Sequence, residues 1–247
     1  MKYILFWLLA LQTASPSAQA QEAIPDATKQ TVEVVSIHGA FDSLLQAYVS
    51  DKGVVNYKGL KKEQAKLETY LQTLSDHIPQ DTDSRSTQMA YWINAYNAFT
   101  LHLIVKNYPV SSIIKLDDGK TWDVKRITLA NKKYSLNKIE NDILRPKFRD
   151  ARVHFAINCA AKSCPPLYNH AFTEDNLERV LEERTRAFVN DPAFNTIAAK
   201  SVKLSRIFEW YAADFGNIQT WLNQYSTKKV SSQATISYFE YNWDLNN

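Results

Sequence analysis

Apolar residues recur at helical spacing through the first half of the chain, and strand spacing enters only later. Phe41, Leu44, Leu45, Tyr48 and Val49 fall on one side of a 3.6-residue period, and Gly53 follows them at a position that suits a helix terminus. Val54 to Tyr57 then reads as a short extended piece. Leu60, Leu67, Leu71 and Leu74 predict a second helix, with Lys61, Lys62, Glu63, Lys66 and Glu68 on its solvated face. Residues 79–86 carry turn chemistry and candidate N-caps. The spacing predicts the most apolar helix over Thr87 to Asn107. At about 100° per residue, Met89, Trp92, Ile93, Tyr96, Phe99, Leu103 and Ile104 share a broad arc. Asn97 lies at the edge of that arc, and His102 falls on the polar side.

The second half alternates more often. Residues 111–122 read as irregular, and Val124 to Leu136 as a hairpin turning at Ala130-Asn131-Lys132. Ser135 is placed to cap a helix through Leu144 that Pro146 ends. Val153, Phe155 and Ile157 recur at period two and predict a strand, which the Cys-Ala-Ala-Lys-Ser-Cys-Pro-Pro run after it cannot continue, because proline lacks the amide donor. Thr173 caps a predicted helix to Val189, with Leu177, Val180, Leu181 and Phe188 as its apolar stripe. Val202 to Leu204 reads as a short strand, Ser205 to Phe215 as a helix closed by Gly216, Trp221 and Leu222 as part of another helix, and Thr235 to Leu245 as a final strand. Helices first and strands interspersed later predict an α+β fold: a single compact domain with helices packed on a small, mainly antiparallel sheet.

Composition adds the compartment. Of the 247 residues, 45% are hydrophobic and 22% charged, which fits a globular chain. Lys2, the apolar run Tyr3 to Leu11 and the Ala18-Gln19-Ala20 site predict a signal peptide over residues 1–20, cut after Ala20, and hence a periplasmic or secreted protein. Residues 21–37 read as a flexible leader and 38–247 as the domain. No later apolar run approaches the roughly 20 residues that span a bilayer, so no stable membrane insertion is expected. Setting Lys2 aside lowers the formal net charge from +3 to +2, and no basic block remains to track a phosphate backbone, so nucleic acid is not an expected partner.

Candidate chemistry concentrates in one loop. Cys159 and Cys164, the two cysteines of the chain, stand beside His154, Asn158 and Lys162. Cys159-x4-Cys164 has no second ligand pair, no H-E-x-x-H occurs, and the five glycines form no phosphate-binding loop, so neither a metal nor a nucleotide cofactor is expected. In an exporting context the two cysteines can close a disulfide, since a looped four-residue spacer brings Cα atoms within the required distance. Alternatively a thiolate attacks a carbonyl carbon, with an imidazole as base, Lys162 lowering the thiol pKa and backbone amides after Cys159 holding the oxyanion. In an ideal strand His154 and Cys159 have opposite parity and point apart, which makes His170 a competing base.

The succession VVNY at 54–57, AYWINAYNAFTLHLIV at 90–105, TWD at 121–123, SLNKIENDILRPKF at 135–148, VHFAINCAAKSCPPL at 153–167, FVNDP at 188–192, LSRIFEWYAADF at 204–215 and YNWDLN at 241–246 resembles the domain-of-unknown-function family 547 over nearly the whole mature chain. Trp92, Asn94, Tyr96, Asn97, Glu140, His154, Asn158, Cys159 and Pro165 fall on its recurrent motif positions, whereas His102 and His170 do not. The resemblance implies an exported bacterial protein of one domain in which Cys159 is more central than Cys164, with papain-like or transglutaminase-like enzymes as an analogy. The expectation is a thiol-dependent hydrolase or acyltransferase acting on an amide or ester, small molecule or peptide. Cys159 is its nucleophile, His154 its base, Asn97 or Glu140 the group orienting the imidazole, and Asn94, Asn158, Trp92 and Lys162 binding residues. The alternative is a non-catalytic binding or scaffold domain with a Cys159–Cys164 disulfide.

Overall fold

The apolar run after Ser84 folds as a long buried helix around which the other elements pack. A computed structural model describes residues 36–247; the expected signal peptide and nearly all of the expected leader lie outside the described residues. In chain order the helices are α1 (Gly39–Tyr48), α2 (Tyr57–Leu60), α3 (Gln64–Asp76), α4 (Arg85–Asn107), α5 (Arg145–Phe148), α6 (Leu177–Asn190), α7 (Ile207–Trp210), α8 (Ala212–Phe215) and α9 (Ile218–Tyr225). The strands are β1 (Ile127–Leu129), β2 (Lys132–Tyr134), β3 (Thr196–Ile197), β4 (Ser201–Leu204) and β5 (Thr235–Tyr238).

Helix α4 begins where Ser84 Oγ accepts the Thr87 amide at 3.0 Å, which satisfies one of the orphan donors of its first turn. Almost every side chain from Gln88 to Val105 is buried, so the helix is enclosed on all sides and not on one stripe. That enclosure is why Asn97 is buried, although its wheel position is at the edge of the apolar arc.

Two hydrophobic cores form. One gathers α1, α3, α4 and the β1–β2 hairpin, and the other packs Phe155, Phe188, Phe208, Phe215 and Trp221 against the small sheet. The hairpin pairs Ile127 with Tyr134 and turns through Ala130 and Asn131, both at positive φ, as a two-residue primed turn requires. In the second sheet β3 and β4 are antiparallel, whereas β4 and β5 run parallel with Ser201 opposite Thr235. The architecture is α+β, with helix predominating and mainly antiparallel pairing. Among the described residues no helix is long and apolar enough to cross a membrane.

Several local expectations change. The period-two run at 153–157 is not a strand: Ala151–Phe155 is a tight 3-10 turn, started by Asp150 Oδ1 accepting the Arg152 amide at 3.1 Å. Its residues are buried because the segment is sandwiched between the two cores, with Val153 and Ile157 in one and Phe155 in the other. Ser135 Oγ accepts the Lys138 amide at 3.1 Å, but the turn it starts, Lys138–Leu144, is π-helical and closes with the Arg145 amide on the Glu140 carbonyl. Pro146 opens α5 instead of ending a helix, because a first-turn proline forfeits no intrahelical bond. Thr173 and Asn176 cap one another across a turn that precedes α6. The expected helix from Ser205 breaks into α7 and α8, and the expected final strand shortens to β5 plus a bridge at Leu245.

Two features of this fold are open to measurement. Gly53 has φ +75°, and a Cβ there would stand 2.6 Å from the Leu167 amide nitrogen and the Pro166 Cβ, so Gly53→Ala is expected to destabilise the protein by about 2–4 kcal/mol in denaturant titrations. His38 is buried with Nδ1 2.7 Å from the Tyr70 hydroxyl, and burial lowers its pKa to about 4. The unfolded chain takes up this proton near pH 6.5 and the folded protein refuses it until about pH 4. Stability is therefore complete above 6.5 and falls by up to about 3 kcal/mol between those limits, a slope that His38→Gln removes.

Candidate active site

The cysteine loop is shaped by amides before any thiol chemistry enters. Asn97, just past the middle of α4, donates Nδ2 to the Ala156 carbonyl at 2.9 Å and accepts the Asn158 amide on Oδ1 at 2.8 Å. Asn158 in turn donates Nδ2 to the Pro165 carbonyl at 2.8 Å and accepts the Ala160 amide on Oδ1 at 2.8 Å, which closes the loop across its neck. Ala160 is held at φ +63°, a left-handed conformation that costs a non-glycine residue roughly 1–2 kcal/mol and persists here under the Asn158 bond. A C-terminal strap completes the frame. The Asn246 amide bonds the Ala160 carbonyl at 3.1 Å, Leu245 bridges Ala161, and the Lys162 amide bonds the Asp244 carbonyl at 2.8 Å.

Within that frame Cys159 and Cys164 are free thiols. The Cys159 amide donates to Cys164 Sγ at 2.9 Å, and Cys159 Sγ lies 3.2 Å from the Tyr241 hydroxyl. Donation from the Cys164 thiol, then from Tyr241 and the Ala161 amide, holds the Cys159 thiol below its usual value against the opposing effects of burial and the Glu140 charge. Burial pushes Cys164 well above the usual thiol value, so it remains the protonated partner.

His154 occupies the wall of the same cavity, fixed from the other core. Its Nε2 lies 2.7 Å from Asp214 Oδ2, and Arg145 grips the same carboxylate with Nε at 2.6 Å and a second nitrogen at 3.0 Å. The His154 bond and then the Arg145 fork hold Asp214 well below the usual carboxylate range. The ring stacks on Tyr211 at 4.0 Å, and its Nδ1 has no hydrogen-bond partner among the described residues. The cavity encloses about 270 Å³ and is walled by Cys159, Cys164, His154, Glu140, Tyr96 and a group of tryptophans.

Sequence expectation and geometry part at several residues. Neither Asn97 nor Glu140 orients the imidazole, since Asn97 is spent on backbone and Asp214 holds the ring. Asn94 bonds both backbone groups of Phe172, Trp92 packs edge-on against Tyr91 in the core, and the exposed Lys162 ammonium lies 3.7 Å from Asp244 and does not line the cavity. His170 pairs with Asp42 at 3.3 Å, and His102 with Glu68 at 3.1 Å, both away from the cavity. The amides of residues 159–164 are already bonded within the loop and strap, so they do not form an oxyanion hole. Asp214, Arg145, Tyr211, Tyr241, Trp210 and Trp243 also carry the site, although sequence reasoning misses them. The segments 204–215 and 241–246 that hold most of them have a recognisable motif but no chemical pattern. Among the described residues no group of three or more His, Cys, Asp or Glu side chains is arranged to hold a metal ion.

Residues 79–189 match the family model described as Protein of unknown function, DUF547. The matched span contains α4, Glu140, His154 and the cysteine loop, and it is narrower than the likeness read from the sequence motifs. Asp214, Tyr241 and Trp243 lie beyond it. No curated protein and no solved structure matches the chain.

The thiol geometry has a direct test in alkylation. Iodoacetamide is expected to label Cys159 and leave native Cys164 untouched, with a pH midpoint below the free-thiol value of about 8.5. Cys164→Ala and Tyr241→Phe each remove a donor to the thiolate and should move that midpoint upward, which slows labelling at pH 7 by about tenfold per pKa unit.

Proposed function

We propose, from the resemblance to the DUF547 family and the geometry of this cavity, that the protein is a thiol-dependent hydrolase or acyltransferase acting on an amide or ester. The observation that carries this reading is one cavity wall that joins an acidified, partly accessible thiol to an imidazole clamped by a carboxylate. Cys159 Sγ adds to the substrate carbonyl carbon, and His154, through Nδ1, takes the thiol proton. The tetrahedral intermediate then expels the amine or alcohol, which leaves with the proton His154 held. Water or a second nucleophile resolves the resulting thioester, its proton passing to His154 as it attacks and back to the departing Cys159 sulfur. Asp214 is a positioning residue: its bond to Nε2 fixes the ring and offsets the charge of the imidazolium. Tyr96 lines the cavity, and its hydroxyl, which accepts the Trp122 indole N–H at 3.3 Å, keeps its own proton for donation to a developing oxyanion.

A second reading draws on the contact between Cys164 Sγ and the Cys159 amide, which puts the two sulfurs within easy reach of a disulfide in a non-catalytic binding domain. Intact mass under non-reducing conditions separates the two. A mass two hydrogens light, with neither cysteine alkylated, overturns the enzyme, and rapid single-site labelling of Cys159 overturns the disulfide scaffold.

Turnover is to be measured on p-nitrophenyl esters and peptide amides. Cys159→Ala should abolish it, and His154→Gln should lower kcat by about 10²–10⁴-fold. Asp214→Asn should lower kcat by about 10²-fold with KM nearly unchanged while the thermal midpoint and circular dichroism stay at wild-type values, which separates lost positioning from loss of fold.

A further inference from the structure

Glu140 has no part in the proposed acyl transfer, and it is the least expected residue in the cavity. It is 4% exposed, comes from the π-helical turn, and is paired with no lysine or arginine among the described residues. The donor beside it is the Tyr211 hydroxyl, and Arg145, the cation whose charge reaches it, is committed to Asp214. No lysine or arginine lines the cavity, whereas a second carboxylate, Asp123, stands on the wall with Asn137 bonded to it at 2.5 Å. A carboxylate this buried, with a hydroxyl donor but no cation of its own, carries a desolvation cost that a cation entering from the cavity would offset.

Much of the remaining lining is aromatic. Trp210 and Trp243 stack at 5.9 Å and 21°, Trp122 meets Trp243 edge-on at 5.6 Å, and Tyr241 packs against both Trp210 and Trp243. Trp210 is 48% exposed, so burial in a core does not account for it. Aromatic faces around a carboxylate form the surroundings in which an ammonium group is bound. The volume of about 270 Å³ lies just below the small-molecule range of roughly 300–1,000 Å³ and suits a group the size of an amino acid.

We infer that this cavity recognises the ammonium group of a cationic substrate, held against Glu140 and the aromatic lining and beside the Cys159 thiol. For the chemistry after capture, the inference rests on the proposed acyl transfer. The substrate class is then an amide or ester carrying a primary or quaternary ammonium within a few bonds of the scissile carbonyl. Anionic substrates are excluded by the same two carboxylates.

The experiment is a tryptophan-fluorescence titration of the full chain with choline and with its neutral carbon isostere, 3,3-dimethyl-1-butanol, at constant ionic strength. Choline is expected to bind saturably and about tenfold or more tightly than the isostere, and to slow iodoacetamide labelling of Cys159. Glu140→Gln should bring the two affinities to within about twofold of one another. Trp210→Ala, at a half-exposed position that the fold tolerates, should weaken choline more than the isostere. Equal affinities, no saturable response to choline, or an unchanged preference in both variants overturns the inference. Choline selectivity without ester or amide turnover leaves the recognition site standing and removes the acyl-transfer reading; turnover without choline selectivity does the reverse.

Discussion

The buried carboxamide of Asn97 is the constraint on which the site depends. A helix that is apolar on every side offers its neighbours no polar anchor, yet here one amide spends both its donor and its acceptor on the backbone that leads into Cys159. Burying such a group unpaired would cost about 1–3 kcal/mol, so the bonds fix the loop as firmly as they satisfy the side chain. Asn94 does the same to the Phe172 backbone one turn earlier. Two amides on one face of α4 thus hold the chain on either side of the cysteine loop, and Asn158 closes the gap between them.

The second constraint comes from the other core. Phe155 is driven into the aromatic group around Phe188 and Trp221, and the tight turn this imposes on Ala151–Phe155 carries the neighbouring His154 toward Asp214. The thiol is therefore placed by one core and the imidazole by the other. Arg145 joins them, since it comes directly after the π-helical turn that buries Glu140 and grips the carboxylate that α8 supplies. A single insertion of π geometry so sets two charges in opposite roles, Glu140 facing the cavity and Arg145 facing Asp214.

Much of this fold is legible in the sequence where local pattern and tertiary context agree. Helix α4, the hairpin turn at Ala130–Asn131 and the strand at Val202 to Leu204 follow from periodicity and turn chemistry. Residues 153–157 mislead because burial on two sides mimics the alternation of a strand, a case in which tertiary packing overrides the local signal. The site is half legible. Cys159, His154 and Glu140 stand out as scarce residue types in one region, but Asp214 is one acidic residue among many on a helix end, and Tyr241 and Trp243 look like β-formers in a terminal strand. Their roles come from contacts across the chain, which no spacing rule encodes. Asn97 reads as a catalytic partner for the same reason: a buried amide signals importance without saying whether it serves backbone or chemistry.

The strap of residues 241–246 has a kinetic consequence. The Tyr57 hydroxyl bonds Asn246 across 189 positions of sequence, and Asn246 reaches Asn158 across 88. Contacts of that separation reward the chain only after the entropy of closing long loops has been met, whereas the turns of α3 and α4 close locally. On that ground the helical core is expected to form before the cavity wall. Loss of a strap contact then shows mainly as faster unfolding of an otherwise intact molecule, so the lifetime of the assembled cavity can be tuned at its edge while the rate of folding is set by the helices.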